Sequence, residues 1–406
     1  MRIVITCRHR TIVGGVETYL RDILRALRER GHTVGLLTSG GAVPGDTPLH
    51  PPNLDVPTWN LAEMDRAQLF ADVAAWEPDL VFQHGLASPA DEELLVQRHP
   101  AVLFAHGHAA TCVSGSRTLA FPTLRPCARS LSAACLLHYF PRRCGGLNPL
   151  TMVRLYREAR HREGMLSRYR EVIVTSHSME DEYRRHGVAP DRLHRVPLFP
   201  TAVTPDYAAP PARAFTDRVL MVGRLYREKG GCLLVDAMSR ANVALGRPLT
   251  LAVAGDGPEQ PRMQALAARR GLAVEFHGWV GAEQRQALMR GADLLAVPSV
   301  CPETFGLVGV EAGCVGLPAI GFAVGGIPDW LIPGETGELA PADPPTAVGL
   351  AGALCRAVAS PVHWSRLSRG AWETARRHSL EAHVSRLEAI LAQAVTPDPH
   401  QTPCMS

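Results

Sequence analysis

The chain is predicted to be an α/β protein of two doubly wound, parallel-sheet domains. Three observations carry that prediction. Its 406 residues exceed what one ordinary hydrophobic core organises. A buried strand, a glycine-bearing loop, an amphipathic helix and a second strand open the chain between residues 2 and 38. The same alternation starts afresh at Arg218, after a Pro-, Ala- and Thr-rich stretch at 197–215 that reads as a linker.

Composition narrows the class further. Hydrophobic residues make up 46% of the chain, as expected of a globular protein, and the formal net charge of +3 is too small to argue for nucleic acid as a partner. The opening MRIVITCRHR does not read as a secretion signal, and no run reaches the roughly 18 apolar residues of a spanning helix. A cytoplasmic location is the expectation, and stable disulfides are rare there, so the ten cysteines call for another role. Heavy use of Ala, Arg, Gly and Pro suggests a high-GC bacterial genome.

In the N-terminal half, residues 2–6 form the first strand. The loop after it ends in Gly14-Gly15, and a helix over 17–30 is stopped by Gly31. Gly15 can bring backbone against a phosphate where a side chain would block it. G-x-G-x-x-G is absent, so the loop is not marked as a dinucleotide site. A strand at 33–38 and a long polar loop at 39–60 follow, then a helix at 65–76 and buried strands at 80–83 and 101–105. His84 and His106 stand just past the carboxyl ends of those two strands, where open sheets gather their ligands. His106 and His108, in HGH, suit a base, a donor or a metal ligand, with a structural contact as the bland alternative.

Cys112, Cys127, Cys135 and Cys144 follow with gaps of 14, 7 and 8 residues and no C-x-x-C pair. They lie in an excursion, 107–149, with no evident core of its own. A structural zinc site is expected there. An iron–sulfur cluster, unpaired thiols and redox-labile pairs are the alternatives, and His108 is a substitute ligand. A helix at 150–169 shows a basic face of Arg154, Arg157, Arg160, Arg162 and Arg168, suited to anionic lipid, to an anionic acceptor or simply to solvent. A strand at 171–175, a helix at 178–186 and a strand at 194–196 close this half.

In the C-terminal half, a strand at 218–222 runs into Gly223-Arg224-Leu225, and Lys229-Gly230-Gly231 opens a helix reaching about Arg240. Arg224 offers a fork of donors and Lys229 a point charge, a fit to two linked phosphates. A strand at 249–254, a glycine turn at 255–258, a helix at 259–270 and a strand at 274–277 come next. Gly278-Trp279-Val280 lies just beyond, where exposed backbone could read a nucleobase edge. A helix at 282–290 precedes the strand 294–297, which feeds PSVCPETFGLVGVEA at 298–312. If 306–313 is helical, Glu303 stands at its mouth and Glu311 just over two turns on. The free amides at the helix start would face an anion, and Glu311 could accept from a polyol such as ribose. Two solvated glutamates are the alternative reading. A strand at 318–321, a glycine loop at 324–328, Thr336-Gly337-Glu338, two or three helices within 345–391 and a frayed polar tail complete the chain.

Taken together, GGVETY (14–19), GRLYREKG (223–230), AGDGP (254–258), FHGWV (276–280), PSVCPETFGLVGVEA (298–312) and GGIPDWLIPGETG (325–337) resemble the retaining GT-B glycosyltransferases of family four, in the family's order. The resemblance implies two Rossmann-like domains facing across a cleft. Residues 1–200 would bind the acceptor, 201–375 would bind the nucleotide sugar, and 376–406 would hold a helix returning to the first domain and the tail. It implies that Arg224 and Lys229 neutralise the departing diphosphate and that amides of Gly306, Leu307 and Val308 complete the phosphate site. Gly15 would close on it from the other domain. Glu311 would bind ribose, Glu303 the transferred sugar, and His106 the sugar's reacting face. Gly278, Trp279 and Val280 would border the base.

Two departures stand out: Cys301, where small or polar residues are usual, and the elaboration 112–144. A glycoside hydrolase would need two carboxylates flanking a glycosidic bond, whereas the resemblance assigns Glu303 and Glu311 to one donor. The expected activity is retaining transfer from a UDP- or GDP-sugar to a small soluble acceptor such as an aminocyclitol, a thiol or a natural-product aglycone. No catalytic metal is expected. Front-face attack with the leaving phosphate as base is the expected route. A lipid-linked or polysaccharide acceptor at the membrane surface is the main alternative, and a binding protein that lost transfer is the other. No nucleic-acid partner is expected; weak membrane association and a homodimer stay open.

Overall fold

The structure is a computed structural model and describes residues 1–41, 47–50, 56–201, 203, 210 and 215–396. Most of the expected linker, part of the 39–60 loop and the polar tail with Cys404 lie outside the described residues.

The first sheet is built from β1 (Arg2–Cys7), β2 (Thr33–Thr38), β3 (Thr58–Asn60), β4 (Leu80–Gln83) and β5 (Ala101–Phe104). Helices α1 (Gly15–Glu29), α2 (Arg66–Ala75) and α3 (Pro89–Arg98) cross between these strands. The excursion then contributes a two-stranded hairpin, β6 (Thr118–Leu119) with β7 (Arg125–Pro126), and helices α4 (Ala134–Tyr139) and α5 (Pro149–Met165). β8 (Glu171–Val174), α6 (His177–Arg185) and β9 (Leu193–Arg195) return the chain to the sheet. The order is β3-β2-β1-β4-β5-β8-β9, all parallel. Strand cores such as Ile3, Val4 and Ile5 have no exposed surface, because helices cover both faces.

The second sheet runs β12-β11-β10-β13-β14-β15, again parallel throughout. Its strands are β10 (Arg218–Val222), β11 (Thr250–Ala254), β12 (Val274–Phe276), β13 (Leu294–Val297), β14 (Ala319–Phe322) and β15 (Gly337–Ala340). Helices α7 (Gly231–Leu245), α8 (Gln260–Arg270), α9 (Ala282–Arg290), α10 (Leu307–Gly313), α11 (Ala347–Ala357) and α12 (Pro361–Ala375) cover it. A last helix, α13 (Leu380–Val395), leaves this domain and buries Val384, Leu387, Ile390 and Leu391 in the core beneath the first sheet.

Both sheets reverse their winding at one place, between β1 and β4 in the first and between β10 and β13 in the second. The crevice past the strand ends at such a reversal is where doubly wound sheets bind ligands. It is flanked by the loop to Gly15 and by His84 in the first domain. In the second, the 223–230 and 298–306 loops flank it.

The structure adds elements that the sequence does not announce, β15 (Gly337–Ala340) among them, where only Thr336-Gly337-Glu338 is read. β3 falls inside the stretch read as loop, since Thr58-Trp59-Asn60 is too short to show alternation. α3, the hairpin and α4 are further additions; the last two carry little apolar periodicity. The basic helix is shorter than expected, and a 3-10 turn, Leu166–Arg168, follows it.

Candidate active site

The donor-side loops are shaped by glycines whose neighbours are backbone. Gly255 (φ +146°) and Gly257 (φ +155°) lie on the loop bearing Arg224: a Cβ on them would fall 1.9 Å from the Gly223 carbonyl oxygen and 2.5 Å from that of Leu225. The Leu225 amide donates to the Asp256 carbonyl at 2.8 Å, so Arg224 rides on a strapped turn. Gly230 (φ +71°) sits against the Pro298 carbonyl, where a Cβ would come within 1.9 Å. Only glycine fits these positions, and together they bring the Lys229 turn onto the Pro298 loop.

That contact places the charges. Lys229 Nζ donates to Glu303 Oε1 at 2.6 Å, and Ser299 Oγ donates to the same oxygen at 2.5 Å. Burial works against the ammonium, but the Glu303 carboxylate outweighs it and holds Lys229 above the ordinary lysine value. Arg224 is exposed, over the ring of Tyr226 at 5.7 Å, and close enough for its charge to be felt by Lys229. Cys301 is half-buried beside this pair; burial and then Glu303 push its thiol up to about 12, so it stays protonated near pH 7.

Glu303 is pinned from behind. The Gly326 amide donates to its carbonyl at 2.7 Å, and a Cβ on Gly325 (φ +55°) would lie 2.2 Å from that oxygen. The glycine loop expected to approach a ligand therefore approaches the Glu303 backbone instead. Gly306 (φ +80°) caps α10 with no side-chain partner, leaving the Leu307 and Val308 amides at the helix mouth. Glu311 is 2% exposed, and its Oε2 accepts from Arg285 Nη1 at 2.9 Å. Neither Arg285 nor Ser299 was found by sequence reasoning: an arginine in an exposed-looking helix and a serine after a strand carry no motif. The Gly278 carbonyl is taken by the Gly255 amide at 2.7 Å, which trims what this segment can offer a base. Trp279 remains 79% exposed, and Val280 is half-buried.

Across the crevice, Gly15 begins α1 exposed, with no atom within 4 Å of where a Cβ would stand. His106 Nε2 and His84 Nδ1 are 2.7 Å apart. Hydrogen-bond accounting assigns the proton. His84 Nε2 is buried without a hydrogen-bond partner. It costs least as a bare lone pair, so His84 Nδ1 donates and His106 keeps its own proton on Nδ1. Burial, then neighbouring histidines, holds His84 well below the ordinary value; burial, then His383, lowers His106 to about 3, and both are neutral near pH 7. His108 is 5% exposed and lies against the Pro302 backbone, although neither ring nitrogen meets hydrogen-bond geometry. Thr175 Oγ1 donates to the Thr304 carbonyl at 2.9 Å and the His177 amide to Asp329 at 2.9 Å, joining the two domains beside Glu303.

Away from the crevice, Cys112, Cys127, Cys135 and Cys144 line one cavity of about 40 Å³. The sulfurs are turned to oxygens: Cys112 to Ser114 Oγ (3.5 Å), Cys135 to the Ser130 carbonyl (3.9 Å) and Cys144 to the His138 carbonyl (3.8 Å). In this packing no group of three or more His, Cys, Asp or Glu side chains among the described residues could hold a metal ion. The basic face of α5 is largely self-satisfied. Arg154 and Arg160 pair with Glu158 and Glu163 on the same helix, while Arg162 pairs with Glu92 and Arg168 with Glu93; Arg157 is exposed. No helix among the described residues is long and apolar enough to cross a membrane.

Residues 13–199 match the family described as Glycosyltransferase Family 4, and residues 216–360 match the one described as Glycosyl transferases group 1. A 2-deoxystreptamine glucosyltransferase of Streptomyces kanamyceticus is 36% identical over 29% of this chain and 33% of its own length. A D-inositol 3-phosphate glycosyltransferase of Streptomyces avermitilis is 31% identical over 42% of this chain and 40% of its own length. The matches thus span well under half of these curated relatives. The structure of Anabaena Alr3699/HepE in complex with UDP and glucose superposes with a TM-score of 0.65 at 19% identity, over 97% of this chain and 99% of that one, which establishes the shared fold.

Proposed function

Because the chain belongs to the GT-B glycosyltransferases, its N-terminal half in family four and its C-terminal half in group 1, we propose that it transfers a sugar, with retention, from a UDP- or GDP-sugar to a small soluble acceptor of the aminocyclitol kind. The observation that carries this reading is the meeting of Arg224, Lys229 and Glu303 at the reversal point of the second sheet. As the bond from the anomeric carbon to the diphosphate breaks, negative charge grows on the phosphate; Arg224, Lys229 and the Leu307 and Val308 amides are fixed where it grows. Glu303 takes hydroxyls of the sugar, and Glu311, oriented by Arg285, takes those of the ribose. The new bond forms from an acceptor oxygen on the same face, and its proton passes to the leaving phosphate. No step calls on a metal. His106, neutral with its proton on Nδ1, donates to the sugar from the opposite domain, and Gly15 admits the diphosphate close to the start of α1. The UDP and glucose of the HepE complex support the donor class, and the aminocyclitol named for the Streptomyces kanamyceticus relative supports the acceptor class.

Calorimetry against uridine, guanosine, adenosine and thymidine diphosphates tests the donor site. UDP or GDP is expected to bind; silence from all four at millimolar concentration would overturn the reading.

A lipid-linked acceptor is the second reading. One observation favours it: Leu137, Leu147 and Leu150 are 76%, 79% and 80% exposed around the start of α5. Salt-sensitive sedimentation with anionic vesicles, lost on neutralising Arg154, Arg157 and Arg160, would favour it.

A further inference from the structure

The excursion between β5 and α5 is thinly built. Its regular structure is a hairpin of two-residue strands and a six-residue helix. The local core is a small cluster of buried Val113, Leu131, Tyr139 and Ala159, with Cys135 and Cys144 packed against them. Modules with so little core are usually held by a cross-link or a metal. Here four thiols from four separate segments, a turn, the residue after a strand, a short helix and the turn beyond it, face one cavity.

We propose that Cys112, Cys127, Cys135 and Cys144 bind one zinc ion as four thiolates, and that this ion holds the excursion together. The cavity of about 40 Å³ among the four cysteines has room for a single ion. Its wall otherwise mixes apolar Val113, Leu119 and Tyr139 with polar Thr111, Ser114, Thr118 and His138, and it also carries Arg117 and Arg129. Zn²⁺ displaces four protons and leaves a centre of net charge −2; Arg129 lines the cavity and its charge is felt at Cys144, whereas Arg117 is already paired with Glu182. The sulfur hydrogen bonds seen now, at 3.5–3.9 Å, are weak. Turning the sulfurs inward exchanges them for bonds of about 2.3 Å to zinc. Binding is therefore coupled to proton release and to ordering of the segment. Gaps of 14, 7 and 8 residues hide such a site from spacing rules, because the ligands meet through tertiary packing. The Cys112 amide donates to the His108 carbonyl at 2.8 Å, and His108 lies against Pro302, so the ion would also steady the cleft wall.

The test is elemental analysis of the full chain purified without chelator, and the inference holds or fails independently of the glycosyl-transfer reading. One zinc per chain is expected, released with loss of thiol protection when the thiols are modified. Cobalt(II) added in its place should give the intense visible and sulfur charge-transfer absorption of a four-thiolate tetrahedral site. Cys127→Ser and Cys144→Ser should lose the metal, whereas Cys232→Ser and Cys355→Ser should keep it. If the first two variants fail to fold, the cobalt spectrum of the unaltered chain still decides. Less than about a tenth of an equivalent of zinc with all four thiols freely titratable would overturn the proposal. So would disulfides among the four, or iron with acid-labile sulfide.

Discussion

Lys229 is held by a partner that the expected reaction must share. Its ammonium donates to Glu303 at 2.6 Å, so an arriving diphosphate competes with, or adds to, an existing ion pair. Glu303 also repels the diphosphate while serving the sugar. The two residues should therefore separate experimentally. Lys229→Ala is expected to lower turnover by about 10²–10³ and to weaken nucleoside diphosphate binding, since a contact that strengthens as charge develops is lost. Glu303→Gln is expected to lower turnover as well, yet to bind the free nucleoside diphosphate at least as tightly as the unaltered chain, because a negative charge has gone. Calorimetry beside steady-state kinetics reads both, and weaker diphosphate binding by Glu303→Gln would sink this division of roles. The Arg285–Glu311 pair adds a related expectation. Arg285→Ala removes the arginine partner of a carboxylate that is 2% exposed, so donor affinity and thermal stability should fall together.

At the scale of elements, the loops after β10, β13 and β14 form one backbone assembly, and their glycines set its spacing. Gly325→Ala would bring a Cβ to 2.2 Å from the Glu303 carbonyl oxygen at a φ of +55°. Both faults push the Glu303 loop away from Lys229. The variant is expected to lose more than about 1 kcal/mol of stability and to lose activity beyond that, with its far-UV dichroism retained; wild-type turnover would remove the pinning role. Buried parallel strands and glycine turns were legible in the sequence because each announces itself locally, as an apolar run or a residue that tolerates positive φ. So was the loop from Pro298 to Thr304. What the glycines touch was not legible. Gly325 and Gly326 read as ligand-facing, yet they face the backbone of residues 302–305. Arg285 and Ser299 escaped for the same reason, as did the hydrogen bond between His84 and His106, since only the stacking of distant strands makes them neighbours.

At the scale of the whole molecule, one helix ties the two halves together. α13 follows directly on the second domain, yet its apolar face lies in the core of the first, and Arg30 and His32 of that domain pair with Glu388. His383 is its most telling residue. Its Nδ1 donates to the Pro197 carbonyl at 2.7 Å, so its Nε2 is bare and accepts the Tyr19 hydroxyl at 2.9 Å. Tyr19 in turn packs on His106 and His84, so the crossing helix and the crevice histidines share one aromatic cluster. Burial lowers His383 from 6.5 to about 4 and His106 to about 3, with His84 lower than ordinary as well and His378 beside them also depressed. Between about pH 6.5 and pH 4 the unfolded chain therefore binds protons that the folded chain refuses. The sign follows: the contribution of these groups is complete above about pH 6.5 and drains away as pH falls toward their folded values. Unfolding temperature is expected to drop steadily from pH 7 to pH 5, before most carboxylates titrate. Glutamine at this position can still donate to Pro197 and accept from Tyr19 but cannot be protonated. His383→Gln should thus flatten that slope while leaving stability near pH 7.5 close to wild type, as scanning calorimetry across the pH series will show. An unchanged slope would mean that the cluster opens to solvent and that α13 is not the buried clasp its packing describes.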